Sequence, residues 1–207
     1  MNQEITSIRV EWDEEIRQLR EKSRQITHQN DLVAFYGSSS LRLWDNMAID
    51  LYPANVLNMA FGGSSYFLCD YFFDEVFEFI NPTKIVLYAG DNDLGNAVPE
   101  VDILTSVNSL LRKIENRFPS AALAIIGVKP SPDREYLKDK MMGLNHSLSE
   151  LMTNHTKGSF IDIYSEMLKP NGSLRPELYI EDQLHINEAG YEIWKRIIGS
   201  HVTGLTS

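Results

Sequence analysis

Apolar residues along the chain form short continuous runs that alternate with longer segments of helical periodicity. Glycine or a Lys-Pro pair stops each of the first four runs, as expected where a buried strand ends. Near-continuous apolar strands that alternate with helices are typical of a parallel sheet covered on both faces. We therefore predict one three-layer α/β domain. Its strands are expected over residues 32–36, 55–61, 84–89, 122–128 and 160–164, and its later helices over residues 66–80, 101–118, 134–154 and 187–201.

The first segment has a different pattern, with apolar residues at helical spacing among many charges. Ile8, Trp12, Ile16 and Leu19 would share one side of a helix over residues 3–26. We expect this amphipathic helix to lie on the outside of the core, with a solvated polar face that takes no part in chemistry. The predicted organisation is an N-terminal helix within residues 1–30 and a single domain over residues 31–207.

Composition and charge narrow the classes of function. Of the 207 residues, 43% are hydrophobic and 23% are charged, as in ordinary globular domains. The formal net charge of −10 would repel phosphate backbones and anionic lipids, so we expect neither nucleic acid nor a membrane as a partner. No run approaches the roughly 18 apolar residues of a membrane span. No signal-peptide pattern is present, and Cys69 has no second cysteine to pair with, so a cytoplasmic location is expected.

Small and polar residues follow the predicted strands. Ligands of open α/β sheets bind beyond the carboxyl ends of the strands, so chemistry is expected in these segments. Four of them are residues 37–40, 62–63, 90–93 and 182–185, and a fifth is the loop of residues 129–131 after the fourth strand. The aromatic segment 66–73 is assigned to the core or to a self-association face, which leaves a homo-oligomer open.

Two of the four segments contain residue types used in nucleophilic catalysis. The spacing of Asp182 and His185 brings a carboxylate close to an imidazole, which fixes the tautomer and leaves one ring nitrogen basic. Ser39 begins a turn after the first strand, where its hydroxyl would be exposed. Leu41 stands where a Gly-x-Ser-x-Gly elbow has its second glycine, which disfavours the α/β-hydrolase fold. Taken singly, each pattern is equally consistent with an ordinary turn or helix cap.

The other two segments contain donors that an oxyanion needs. Gly63 can supply a backbone N–H and Asn92 a side-chain amide. Paired glycines also permit a tight turn, and a loop asparagine often bonds its own backbone.

Together the four segments resemble the sequence blocks of the SGNH or GDSL hydrolase family. Gly-x-Ser follows the first strand, glycine the second and Gly-x-Asn-Asp the third, while Asp-x-x-His precedes the last helix. The resemblance spans residues 32–194 and is greatest to bacterial esterases of the platelet-activating-factor acetylhydrolase type. It implies a flavodoxin-like α/β/α fold with a mainly five-stranded parallel sheet, and no metal or organic cofactor.

The resemblance also implies roles for five residues. Ser39 matches the nucleophile, His185 the base and Asp182 the acid that orients the base. The N–H groups of Ser39 and Gly63 and the amide of Asn92 match the oxyanion hole. The expected substrate is a small-molecule ester with a short acyl group such as acetate, carried by a soluble alcohol or sugar.

Ser38 departs from the family, which usually has aspartate at this position, and Ser64 stands where many members have a second aspartate. Because three serines are consecutive, Ser38 and Ser40 stay open as alternative nucleophiles.

Three other classes of function also stay open. The serine-rich loop would suit a phosphate- or flavin-binding module. Asp91 and Asp93 with Asp182 and His185 would suit a metal-dependent hydrolase. The third alternative is an inactive binding protein on the same fold.

Overall fold

The computed structural model describes residues 2–202, with the side chains of the first helix from Val10 onward. Its centre is a five-stranded sheet in the order β2-β1-β3-β4-β5, in which every neighbouring pair is parallel. The strands are β1 Leu32–Gly37, β2 Asn55–Asn58, β3 Lys84–Tyr88, β4 Ala122–Ile126 and β5 Gly158–Ile161. The parallel sheet predicted from the apolar runs is confirmed.

Helices cover both faces of this sheet. They are α1 Asn2–Arg24, α2 Ser39–Arg42, α3 Met47–Asp50, α4 Tyr66–Val76, α5 Asp91–Gly95, α6 Glu100–Arg117, α7 Lys138–Thr153 and α8 Glu188–Val202. Side chains alternate along each strand, so Ala34 and Tyr36 of β1 join a core closed by α1, α4, α6 and α7. Val33 and Phe35 join a second core closed by α2, α3 and α8. The predicted three-layer fold is confirmed, and no helix within residues 2–202 is long and apolar enough to cross a bilayer.

Helix α1 packs on the first core as its apolar stripe predicts. Ile16 and Leu19 are buried there, and Trp12 is half-buried against the same core. Ile8, the fourth residue of the predicted stripe, is not among the side chains that the structure describes. Residues 1 and 203–207 also lie outside the described part of the chain. The division into residues 1–30 and 31–207 stays a prediction.

Several elements have bounds that differ from the predicted ones. Strand β2 ends at Asn58 rather than at residue 61, β4 at Ile126 rather than at residue 128, and α4 at Val76 rather than at residue 80. Strand β5 ends at Ile161 rather than at residue 164, because the Asp162 carboxylate accepts the N–H of Tyr164 at 2.8 Å and turns the chain. The segment predicted as one helix over residues 134–154 is a 3₁₀-helix, Pro132–Leu137, followed by α7. Arg134 interrupts the helical geometry with φ −117° and ψ 27°, which separates the two pieces.

The loops after β1, β2 and β3 are tied together at the carboxyl edge of the sheet. The N–H of Ser38 donates to the carbonyl of Tyr88 at 2.9 Å, and the N–H of Phe61 donates to that of Gly37 at 2.9 Å. Gly37 has φ +147°, and a Cβ on it would lie 1.8 Å from the Tyr88 oxygen. Only glycine permits this close approach, so the Gly-x-Ser turn is locked to the neighbouring strand.

Candidate active site

The serine turn presents one of its three hydroxyls to the carboxyl edge of the sheet. Ser38 and Ser40 are each 2% exposed, whereas Ser39, the first residue of α2, is partly exposed. Ser39 Oγ lies 2.9 Å from His185 Nε2. The turn is also held by α8, because Tyr191 donates its hydroxyl to the Ser40 carbonyl at 2.9 Å.

The loop before α8 holds the histidine through an aspartate three residues earlier. His185 Nδ1 lies 2.6 Å from Asp182 Oδ2, and Asp182 Oδ1 accepts the N–H groups of Leu184 and His185 at 2.9 Å each. The carboxylate thus bonds both the ring and the backbone of its partner. Asn187 caps α8, since its side-chain oxygen accepts the N–H of Gly190 at 3.2 Å.

Asp182 is held in its ionised form. Burial opposes ionisation, but the hydrogen bonds from the His185 ring and from two backbone N–H groups outweigh it and lower the pKa of Asp182 to about 2. The group is therefore a carboxylate at any ordinary assay pH. A carboxylate here favours the tautomer with the proton on Nδ1, which leaves Nε2 free to accept the Ser39 proton.

The side-chain amide of Asn92 is oriented at both ends. Its Nδ2 donates to the Ser64 carbonyl at 3.0 Å, and its Oδ1 accepts from the Arg134 guanidinium at 3.4 Å. The loop after β3 is thereby joined to the residue that follows Gly63. One Nδ2 hydrogen is used in the bond to Ser64, and the amide keeps a second one as a donor.

The two aspartates beside Asn92 support the loops. Asp93 is buried and accepts the N–H of Gly90 at 3.1 Å and that of Tyr66 at 3.1 and 3.2 Å. Burial raises the pKa of Asp93 to about 6, although these N–H groups act in the opposite direction. The carboxylate thus connects the loop after β3 to the start of α4.

Asp91 forms a buried ion cluster with two cations. Lys129 Nζ lies 2.9 Å from one carboxylate oxygen, and Arg134 Nη1 lies 2.6 Å from the other. Burial opposes ionisation, but the two cations outweigh it and lower the pKa of Asp91. Asp91 and Asp93 are therefore occupied by cations and backbone donors. Within residues 2–202, no three His, Cys, Asp or Glu side chains are grouped as a metal site would require.

Several residues that support the site were not identified by the sequence analysis. Lys129 belongs to the loop predicted after the fourth strand, yet it is 1% exposed beside Asp91. Trp12 and Glu15 of α1 both bond the backbone of Gly62, although the polar face of this helix was expected only to be solvated. No local pattern reveals such contacts, because Trp12 and Gly62 are 50 positions apart. Cys69 is buried as expected, and burial raises the pKa of its thiol.

The chain is similar to a known protein family and to several solved structures. A family model described as the GDSL-like Lipase/Acylhydrolase family matches residues 26–193. No curated protein sequence matches the chain. Among solved structures, a Streptococcus pneumonia protein reported as a platelet activating factor is 20% identical, with 97% of each chain covered and a TM-score of 0.83.

Two further structures share the fold. A GDSL-like lipase from Bacteroides thetaiotaomicron is 20% identical, with 91% of this chain and 97% of that chain covered and a TM-score of 0.75. A catalytic mutant of an acetylxylan esterase from Geobacillus stearothermophilus is 14% identical, with 86% and 96% covered and a TM-score of 0.71. The family model covers most of the chain, so it shows family membership as well as a shared fold. The chain belongs to the GDSL-like lipase/acylhydrolase family and is a hydrolase that acts on ester bonds.

Proposed function

We propose that the chain is a serine esterase in which Ser39 is the nucleophile, His185 the base and Asp182 the residue that orients the base. The observation that carries the proposal is a continuous hydrogen-bonded series. It runs from Ser39 Oγ to His185 Nε2 at 2.9 Å and from His185 Nδ1 to Asp182 Oδ2 at 2.6 Å. This series has the reach and order that a general base acting on a hydroxyl requires.

The reaction follows from these contacts. As Ser39 Oγ attacks the ester carbonyl, its proton passes to His185 Nε2, and the imidazolium that forms is stabilised by the Asp182 carboxylate. The tetrahedral intermediate collapses when His185 gives this proton to the leaving alcohol. Water then attacks the acyl-Ser39 ester with the same histidine as base, which releases the carboxylic acid and restores the Ser39 hydroxyl.

The negative charge on the carbonyl oxygen needs donors that are oriented in advance. We assign this role to the N–H groups of Ser39 and Gly63 and to the Asn92 amide. The assignment is supported by the bonds that fix the Asn92 side chain at both of its ends. It is also supported by the availability of both N–H groups, which have no acceptor among the residues that the structure describes.

The substrate we propose is an ester of a short acyl group, acetate in the first instance, with a soluble alcohol or sugar. An acetylxylan esterase is among the proteins that share the fold. The net charge of −10 disfavours an anionic lipid surface as the place of reaction. The cytoplasmic location expected from the sequence stays a prediction.

Fluorophosphonate labelling with peptide mass spectrometry tests the nucleophile. We expect the label on Ser39, and we expect the variant Ser39→Ala to lose the label and at least about 10³-fold in kcat/KM on p-nitrophenyl acetate. Ser38→Ala and Ser40→Ala are the matched controls, since each removes one neighbouring hydroxyl. A label outside residues 38–40, or an active Ser39→Ala, would refute the proposal.

A series of p-nitrophenyl esters from acetate to octanoate tests the acyl group. We expect kcat/KM to be highest at acetate or butyrate and to fall with longer chains. Activity that rises steadily toward octanoate would contradict the short-acyl assignment. The same assays with EDTA distinguish a metal-dependent hydrolase, whose activity the chelator would remove.

A further inference from the structure

Two side chains of helix α1 form hydrogen bonds to the backbone of the Gly62–Gly63 pair. Trp12 Nε1 donates to the Gly62 carbonyl at 2.8 Å. One helical turn later, the Glu15 carboxylate accepts the N–H of Gly62 at 3.1 and 3.2 Å. Helix α1 therefore bonds the peptide groups on both sides of Gly62, although Glu15 and Gly62 are 47 positions apart.

The bond from Trp12 acts on a particular peptide plane. The carbonyl of Gly62 and the N–H of Gly63 belong to the same peptide unit, and in a trans peptide these two groups point in opposite directions. Holding the carbonyl toward α1 therefore directs the Gly63 N–H away from α1. A carbonyl that accepts a hydrogen bond is also polarised, which strengthens the donor at the other end of the unit.

This peptide needs an external restraint because glycine lies on both sides of it. Neither Gly62 nor Gly63 has a side chain to limit rotation, and Gly63 has φ +65°. Rotation of the unit would replace a donor by a carbonyl oxygen, which repels an oxyanion. The Trp12 ring lies directly against this point, since a Cβ on Gly63 would be 3.7 Å from the ring.

We propose that Trp12 is a positioning residue for the oxyanion hole. It acts through Gly63 by holding the peptide between Gly62 and Gly63 in the orientation that directs the N–H to the developing charge. This inference rests on the proposed function, because it needs Ser39 as nucleophile and Gly63 as oxyanion donor. Glu15 completes the restraint by binding the preceding N–H, which leaves the N–H of Gly63 as the donor at this turn.

The variant Trp12→Phe removes the N–H donor and keeps an aromatic ring on the core. Ile16 and Leu19 still anchor the helix, so we expect the variant to fold. We expect kcat on p-nitrophenyl acetate to fall about 10- to 100-fold, which is less than the roughly 10²- to 10³-fold loss when an oxyanion donor is removed outright. KM should change by less than about twofold, because ground-state binding is not affected.

Phenylboronic acid gives a second readout, because it forms a tetrahedral adduct on a serine hydroxyl. We expect Trp12→Phe to lose affinity for the boronic acid by the same factor as kcat/KM. Trp44→Phe is the matched control, since it makes the same substitution at a tryptophan whose Nε1 donates to Asp50 at 2.8 Å. This control should keep kcat and boronic acid affinity, and urea unfolding monitors the stability of both variants.

Ser39→Ala is measured in parallel to separate the two proposals. If Ser39→Ala is as active as the wild type, the proposed function itself is wrong. If Ser39→Ala is inactive but Trp12→Phe keeps both kcat and boronic acid affinity, only the role of Trp12 is wrong. A rise in KM at constant kcat would also overturn it, because Trp12 would then contact substrate rather than position the donor.

Discussion

The Ser39 hydroxyl and His185 Nε2 lie 2.9 Å apart although 146 residues separate them along the chain. Two local constraints produce this contact. Gly37 allows β1 to approach the Tyr88 carbonyl closely, which sets the start of the serine turn. Asp182 bonds the backbone and the ring of His185, which sets the direction of the imidazole. Either constraint alone would leave one partner misplaced.

The variant Asp182→Asn tests the orientation of the base. We expect kcat to fall by about 10³- to 10⁴-fold, because an asparagine amide can face Nδ1 with a donor and stabilise the wrong tautomer. The effect should be present throughout the assay range, since the pKa of Asp182 is about 2. The control is Glu181→Gln at the exposed neighbouring carboxylate, and steady-state kinetics at several pH values is the measurement. A loss in kcat of less than about tenfold would remove Asp182 from the mechanism.

Asn92→Ala tests the side-chain donor of the oxyanion hole. We expect a loss of about 10²- to 10³-fold in kcat with a small change in KM, because the interaction strengthens only as charge develops. Asn96→Ala is the matched control, since Asn96 is exposed just beyond the same short helix. A variant that changes KM alone would place Asn92 in substrate binding instead.

The ion cluster around Asp91 predicts an effect on stability. Lys129→Met removes a buried cation and leaves the Asp91 carboxylate with Arg134 as its remaining cation. We expect the free energy of unfolding to fall by about 3–5 kcal/mol, as for other broken buried pairs. Urea denaturation measures the change, with Lys138→Met as an exposed control. Equal midpoints for Lys129→Met and wild type would show that the pair is energetically neutral.

The raised pKa of the Asp93 carboxyl predicts how the free energy of unfolding depends on pH. Burial raises its pKa to about 6 from an ordinary 3.8, so the folded state binds the proton more tightly than the unfolded state. The contribution of Asp93 to the free energy of unfolding is therefore greatest below pH 3.8. This contribution falls as the pH rises toward 6. The expected decrease is roughly 2–3 kcal/mol over this window.

Urea unfolding of wild type and Asp93→Asn between pH 4 and pH 7 isolates this contribution. The wild type should lose stability with rising pH relative to the variant, which has no carboxyl group to titrate. Asp133→Asn serves as the exposed control and should follow the wild type. Parallel curves for wild type and Asp93→Asn would contradict the raised pKa.

The sheet and the site segments were predictable because local rules determine them. Apolar runs ended by glycine marked the strands, and the parallel topology brings the ends of these strands to one edge. The exposure of Ser39 between two buried serines was not predictable, since the neighbouring elements impose the burial of Ser38 and Ser40. The contact of Trp12 with Gly62 joins two distant segments and has no local signature.

The order of the proposed catalytic residues along the chain has a consequence for synthesis. During translation the serine turn is made before β2, whereas the loop that contains Asp182 and His185 is made after all five strands. A growing polypeptide therefore has the proposed nucleophile without its proposed base until the last strand has been made. Under the proposed assignment, a nascent polypeptide without this loop lacks the base for ester hydrolysis, so the first turnover would report that all five strands of the sheet have been made.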